Sequence, residues 1–115
     1  MRNENLYIQD ILAAIKNIET YTKGLSFEKF CKNQMATDAV IRNLEIIGEA
    51  AKNLSPTIKS SFSNIPWHDV TGMRNKIIHE YFGVDLEIIW KTIQESLPDF
   101  KKSIKKFNIK SQKND

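Results

Sequence analysis

The chain has one cysteine, three prolines and four glycines in 115 residues, and each scarcity closes off a class of protein. A lone Cys31 cannot form an internal disulfide, so a stapled secreted scaffold is excluded. Within the apolar run FEKFC it is expected to be a small buried hydrophobe rather than a nucleophile. So little Gly and Pro, beside 41% hydrophobic and 27% charged residues, excludes collagen-like and low-complexity chains. No apolar run approaches the roughly 20 residues needed to cross a bilayer. The start, MRNENLYIQD, mixes charges before any apolar stretch, which is unlike a signal peptide, and the expected location is the cytoplasm. No alternating β-branched run bounded by turn residues occurs, so no strand is expected. Two histidines eleven apart and one cysteine make no metal-ligand set. There is no glycine-rich phosphate loop and no nucleophile elbow, and neither a metal nor a cofactor is expected.

What is present is helical periodicity from end to end. Leu6, Ile8, Ile11, Leu12, Ile15 and Ile18 recur three and four apart, and Gly24 stands where a left-handed stop belongs. Ser26 can cap a short turn. A long helix is then expected from about Asn33 to Leu54, with Val40, Leu44, Ile47, Ala51 and Leu54 as its stripe. Gly48 within it costs about 1 kcal/mol relative to alanine, which close approach of another backbone to Gly48, Ala50 and Ala51 would explain. Ser55 with Pro56 signals a short helix, and Asn64 with Pro66 repeats the start signal. Gly83 reads as a stop and Asp85 as the cap of a helix whose Leu86, Ile89, Trp90 and Ile93 face inward. Ser96 and Pro98 bend or restart the chain into a last helix with a narrow stripe of Phe100, Ile104 and Phe107. The expectation is an all-α antiparallel bundle of about five helices, a single domain over 1–110 with a disordered basic and polar tail over 111–115.

The chemistry concentrates in GMRNKIIHEYFGVD, which holds Arg74, Asn75, His79 and Tyr81 within two helical turns. On an ideal helix of about 100° per residue, Arg74 and Tyr81 lie about 20° apart, but Arg74 and His79 about 140°. Three arrangements bring them to one substrate: the helix loosens before Gly83, the arginine reaches round, or a second copy supplies half of the site. The apolar Ile77, Ile78 and Phe82 on the same segment suit a symmetric dimer. Histidine exchanges protons near neutral pH, and arginine presents a planar, permanently charged fork to phosphate. Together they suffice for RNA transesterification, where the ribose 2′-hydroxyl is the internal nucleophile. Asn75, four before His79, could orient the imidazole or bind phosphate, and Tyr81 could stack on a base. His68 in PWHDV reads as a surface residue. By spacing alone, an arginine five residues before a histidine equally suits a structural role.

RNKIIHEY has the form R-x-x-x-x-H-x-Y, and with AVIRNLEIIGEAAKNLS, IPWHDVTGMRN, HEYFGVDLEIIW and LPDF in that order the chain resembles the HepT-like branch of the HEPN family. The resemblance covers roughly Leu6 to Phe107 and implies a HEPN-like, homodimeric helical fold with both motifs at the interface. It implies a metal-independent endoribonuclease toxin with Arg74 and His79 catalytic and Asn75 supporting. Tyr81 matches the tyrosine that, in members partnered by an MntA-like nucleotidyltransferase antitoxin, is adenylylated; bulky phosphate there would block and repel RNA. The alternative is a non-catalytic, nucleotide-binding helical module that docks a nucleotidyltransferase.

Net charge is +3 and the pI about 9.0, with lysines crowded into KKSIKKFNIKSQK. That stretch reads either as a solvated helix face or as an attraction for an anionic partner. Lys76, Lys101, Lys102 and Lys105 are the candidate RNA contacts, with Lys106 beside them.

Overall fold

The computed structural model describes the backbone of residues 3–79 and 85–113, with side chains for 3–73 and 85–106. Every described element is helical: α1 (Glu4–Thr22), α2 (Phe27–Lys32), α3 (Gln34–Lys52), α4 (Pro56–Ser61), α5 (Trp67–His79), α6 (Leu86–Lys91) and α7 (Leu97–Lys113). A π-helical stretch, Thr92–Ser96, joins α6 to α7 without a break, so the described residues form six rods where about five were expected. The all-α fold class is as the periodicity predicts.

Local chemistry sets most boundaries. The Asn3 side chain accepts the Asn5 N–H at 2.8 Å to open α1, and Gly24 at φ +76° closes the turn that follows it. Ser26 accepts the Lys29 N–H and Ser55 the Ile58 N–H, capping α2 and α4. Asn33 ends α2 and caps α3 through the Ala36 N–H. Asp85 accepts from both Glu87 and Ile88 at the start of α6.

The core is built between α1 and α3. Ile8, Ile11, Ile15 and Ile18 of α1 meet Val40, Leu44, Ile47 and Ala51 of α3, and Phe30, Ile89, Ile93, Leu97 and Ile104 complete the cluster. The Ser55 N–H donates to the Glu4 carboxylate, placing the end of α3 beside the start of α1, so the two run antiparallel. At mid-length Asn17 Nδ2 donates to Asn43 Oδ1 at 3.2 Å, and Asn43 Nδ2 donates to the Ala39 carbonyl at 2.8 Å. Registry between the two central helices is thus held by a polar pair at the edge of the apolar seam, with Asn43 buried and Asn17 exposed. Gly48, Ala50 and Ala51 are buried, and α5 packs on this helix.

Five expectations change. Leu6 is largely exposed and Leu12 only partly buried, because the inward stripe of α1 runs through Ile8, Ile11, Ala14, Ile15 and Ile18. Cys31 is exposed: in a helix of six residues one position faces inward, and Phe30, stacked on Trp90 at 5.1 Å, takes it. Asn64 does not open α5. Its amide donates to Ser103 Oγ on α7 at 3.2 Å, while the Pro66 carbonyl accepts the first helical N–H, from Val70. Pro98 does not interrupt the helix, because it follows a π turn in which the Leu97 N–H reaches back to the Thr92 carbonyl. A proline loses its N–H and crowds the carbonyl four residues earlier; the wider turn relieves that conflict. At the far end α7 stays helical through Lys113, into the segment expected to be a tail.

Candidate functional site

The helix carrying the motif is anchored at its start. The Trp67 indole N–H is shared between the Lys59 and Phe62 carbonyls at 3.0 and 3.1 Å, fastening α5 to the end of α4. The same ring meets Phe100 of α7 edge-on, centroids 6.2 Å apart. From that anchor α5 runs unbroken as α-helix through His79, so Arg74, Asn75, Lys76 and His79 all lie on one regular helix. The loosening of the helix before Gly83, one of three ways to bring them together, does not occur between Arg74 and His79. Their positions stay about 140° apart around the axis. Tyr81 and Gly83 lie outside the described residues.

Helical register exposes a stripe the sequence reading missed. His68, Gly72, Asn75 and His79 are spaced four, three and four apart, so they share one face within about 60°. His68 is exposed, as expected, but it and Gly72 line a cleft of about 620 Å³. The cleft lies among α3, α5, α6 and α7: Leu44, Ile65, Met73 and Ile89 contribute apolar wall, and Asp69, Asp85 and Asp99 contribute carboxylates. Adding a Cβ at Gly72 would meet nothing within 4 Å. The spacing of eleven between the two histidines is three helical turns, the signal from which the shared face could have been found.

The lysines divide. Lys101 Nζ binds both carboxylate oxygens of Glu19 at 2.8 and 3.0 Å, a bridge from α7 to α1. Lys102, Lys105 and Lys106 are exposed. Among the described residues no group of three or more His, Cys, Asp or Glu side chains is placed to hold a metal, and no helix is long and apolar enough to cross a membrane.

The model of the family described as Ribonuclease HepT-like matches residues 11–107, which takes in α3, the motif helix and most of α7. The chain belongs to the ribonuclease HepT-like family. As a member it is an endoribonuclease, the enzyme class expected from its sequence. It is similar to the "Probable ribonuclease HepT" of Thermococcus cleftensis, 44% identical over 91% of this chain and 96% of that protein. It is equally similar to a "Putative RNase" of Caldanaerobacter subterraneus subsp. tengcongensis, 44% identical over 91% and 94%. A "Putative RNase" of Methanocaldococcus jannaschii is 38% identical over 90% and 94%. No solved structure matches the chain. The span matched by this HepT-like family contains Arg74, Asn75, His79 and Tyr81, as well as His68 and the cleft.

Proposed function

We propose that the chain is the toxin of a toxin–antitoxin pair, a metal-independent endoribonuclease that acts as a homodimer in the cytoplasm. In this reading His79 takes the proton of a ribose 2′-hydroxyl as its oxygen attacks the adjacent phosphorus. The bond to the 5′-oxygen breaks, and that oxygen leaves with the proton returned by the His79 imidazolium, giving a 2′,3′-cyclic phosphate and a 5′-hydroxyl end. Arg74 holds the charge that builds on the non-bridging oxygens in the pentacoordinate state, and Asn75 orients the imidazole or the phosphate. Adenylylation of Tyr81 by an MntA-like nucleotidyltransferase antitoxin places further negative charge and bulk beside this site and switches it off.

The observation that carries the reading is the family match across residues 11–107 with an uninterrupted R-x-x-x-x-H-x-Y motif inside it. The 140° between Arg74 and His79 on a regular α5 favours a pair of chains, in which each helix contributes part of a shared site.

The test is made with chain expressed without a partner and shown by intact mass to carry no AMP. Wild type, Arg74→Ala and His79→Ala are incubated with total RNA in excess chelator. Cleavage by wild type alone, leaving cyclic phosphate ends, is the expected result. Equal cleavage by all three, or a requirement for added divalent metal, overturns the mechanism; no cleavage by any of them, with tight capture of a nucleotidyltransferase, favours a docking module.

A further inference from the structure

The charge of this molecule is sorted by element. Six lysines against the single Asp99 give α7 a charge of +5, so the rest of the chain, at +3 in total, carries −2. A helix gains by spacing opposite charges three and four apart, and α2 does so with Lys32 on Glu28 at 3.1 Å. On α7 the same spacings join lysine to lysine: 101 with 105, 102 with 105 and 106, 106 with 110, and 110 with 113. Each such pair repels and costs helix stability, an arrangement that a merely solvated face does not require. Lys101 is committed to Glu19, but Lys102, Lys105 and Lys106 are exposed and form no ion pair among the described residues.

The place of these three lysines matters as much as their number. They fall within about 100° of one another around α7, spanning about 6 Å of its length. Ser103, between them in sequence, accepts from Asn64, and Phe100 meets Trp67. The lysine segment is therefore fastened to the start of α5, the helix that carries Arg74 and His79 seven and twelve residues beyond Trp67, about 10 and 18 Å along the axis.

We propose that Lys102, Lys105 and Lys106 form a rail for the sugar–phosphate backbone of single-stranded RNA, holding the strand a few nucleotides from the bond to be cut. The proposal rests on the ribonuclease reading above. The rail makes no base contacts, so it contributes affinity and not sequence preference. Its lysines are positioning residues, and Lys101 is excluded from it by its bond to Glu19.

The experiment uses full-length chain and a fluorescein-labelled single-stranded RNA 12-mer with 2′-O-methyl riboses, which cannot be cleaved because no free 2′-hydroxyl remains. Anisotropy is read against salt concentration for wild type, the triple variant Lys102→Gln/Lys105→Gln/Lys106→Gln, and a charge-matched control, Lys16→Gln/Lys23→Gln/Lys29→Gln. At about 0.7 counterion released per phosphate contact on a single strand, the triple variant makes the log–log salt slope shallower by about 2 and weakens binding roughly tenfold at low salt. The control keeps the wild-type slope. With a cleavable version of the strand, KM rises in the triple variant while kcat stays within about twofold of wild type. Unchanged affinity in the triple variant, or equal loss in the control, overturns the rail. Because the probe is not cleaved, these outcomes stand apart from a wild type that fails to cut RNA, which would overturn the ribonuclease reading instead.

Discussion

Replacing Gly72 by alanine should make this protein more stable. Gly72 sits inside α5, five residues beyond its first residue, in helical backbone. Glycine there costs about 1 kcal/mol relative to alanine, through the backbone freedom it loses on folding. The new Cβ meets no atom within 4 Å, so no steric loss subtracts from that gain. With an unfolding entropy of about 2.1 cal/mol/K per residue, 115 residues give about 0.24 kcal/mol/K, and 1 kcal/mol raises Tm by about 4 °C. Urea titration should show the midpoint rising at constant slope. The titration belongs across a hundredfold range of protein concentration, because a second copy seated against Gly72 would contribute a concentration-dependent part. Loss of stability at the lowest concentration refutes the reasoning, since it would need a neighbour within the same chain. Gain at low concentration that turns to loss at high concentration would locate the second copy on the stripe of His68, Gly72, Asn75 and His79.

Phe30→Ala should cost about 3 to 4 kcal/mol, because the ring is fully buried and stacked on Trp90; differential scanning calorimetry should show Tm falling by on the order of 15 °C. Cys31, being exposed, should react with a maleimide in the native protein about as fast as in urea, and protection of tenfold or more would contradict its placement. Lys101→Ala should cost less than about 1 kcal/mol, since both partners of the Glu19 pair are partly in water, and the loss measured by chemical denaturation should shrink further in 1 M salt.

Caps were legible in the sequence because their chemistry is local. Ser26, Ser55 and Asp85 each accept from an N–H two or three residues on, and Gly24 needs only its own φ. Periodicity likewise found the stripe of α3, whose Val40, Leu44, Ile47 and Ala51 are all buried, as is Leu54 just beyond its end. Two of the misreadings come from competition by residues far away in sequence. Asn64 carries a capping side chain but gives it to Ser103, 39 residues on. Cys31 loses its place in the core to Phe30 because Trp90 arrives beside that ring. Of the candidate site, the motif and its helix could be read from the order of residues alone. The cleft could not, because its walls come from four helices, and Lys101 could not be told from Lys102 until α7 lay against α1.

The π stretch at Thr92–Ser96 acts as a phase shifter in a single rod. Before it, Trp90 points its ring into Phe27 and Phe30 of α2; beyond it, Phe100 and Lys101 turn to Trp67 and Glu19. One surplus residue in a turn delays everything downstream by about 100°. Deleting a single residue there would restore an ordinary helical turn and swing the lysine face a quarter-turn or more around the rod. The angular aim of the most cationic element in the molecule thus depends on one residue of backbone as well as on the contacts that Phe100, Lys101 and Ser103 make.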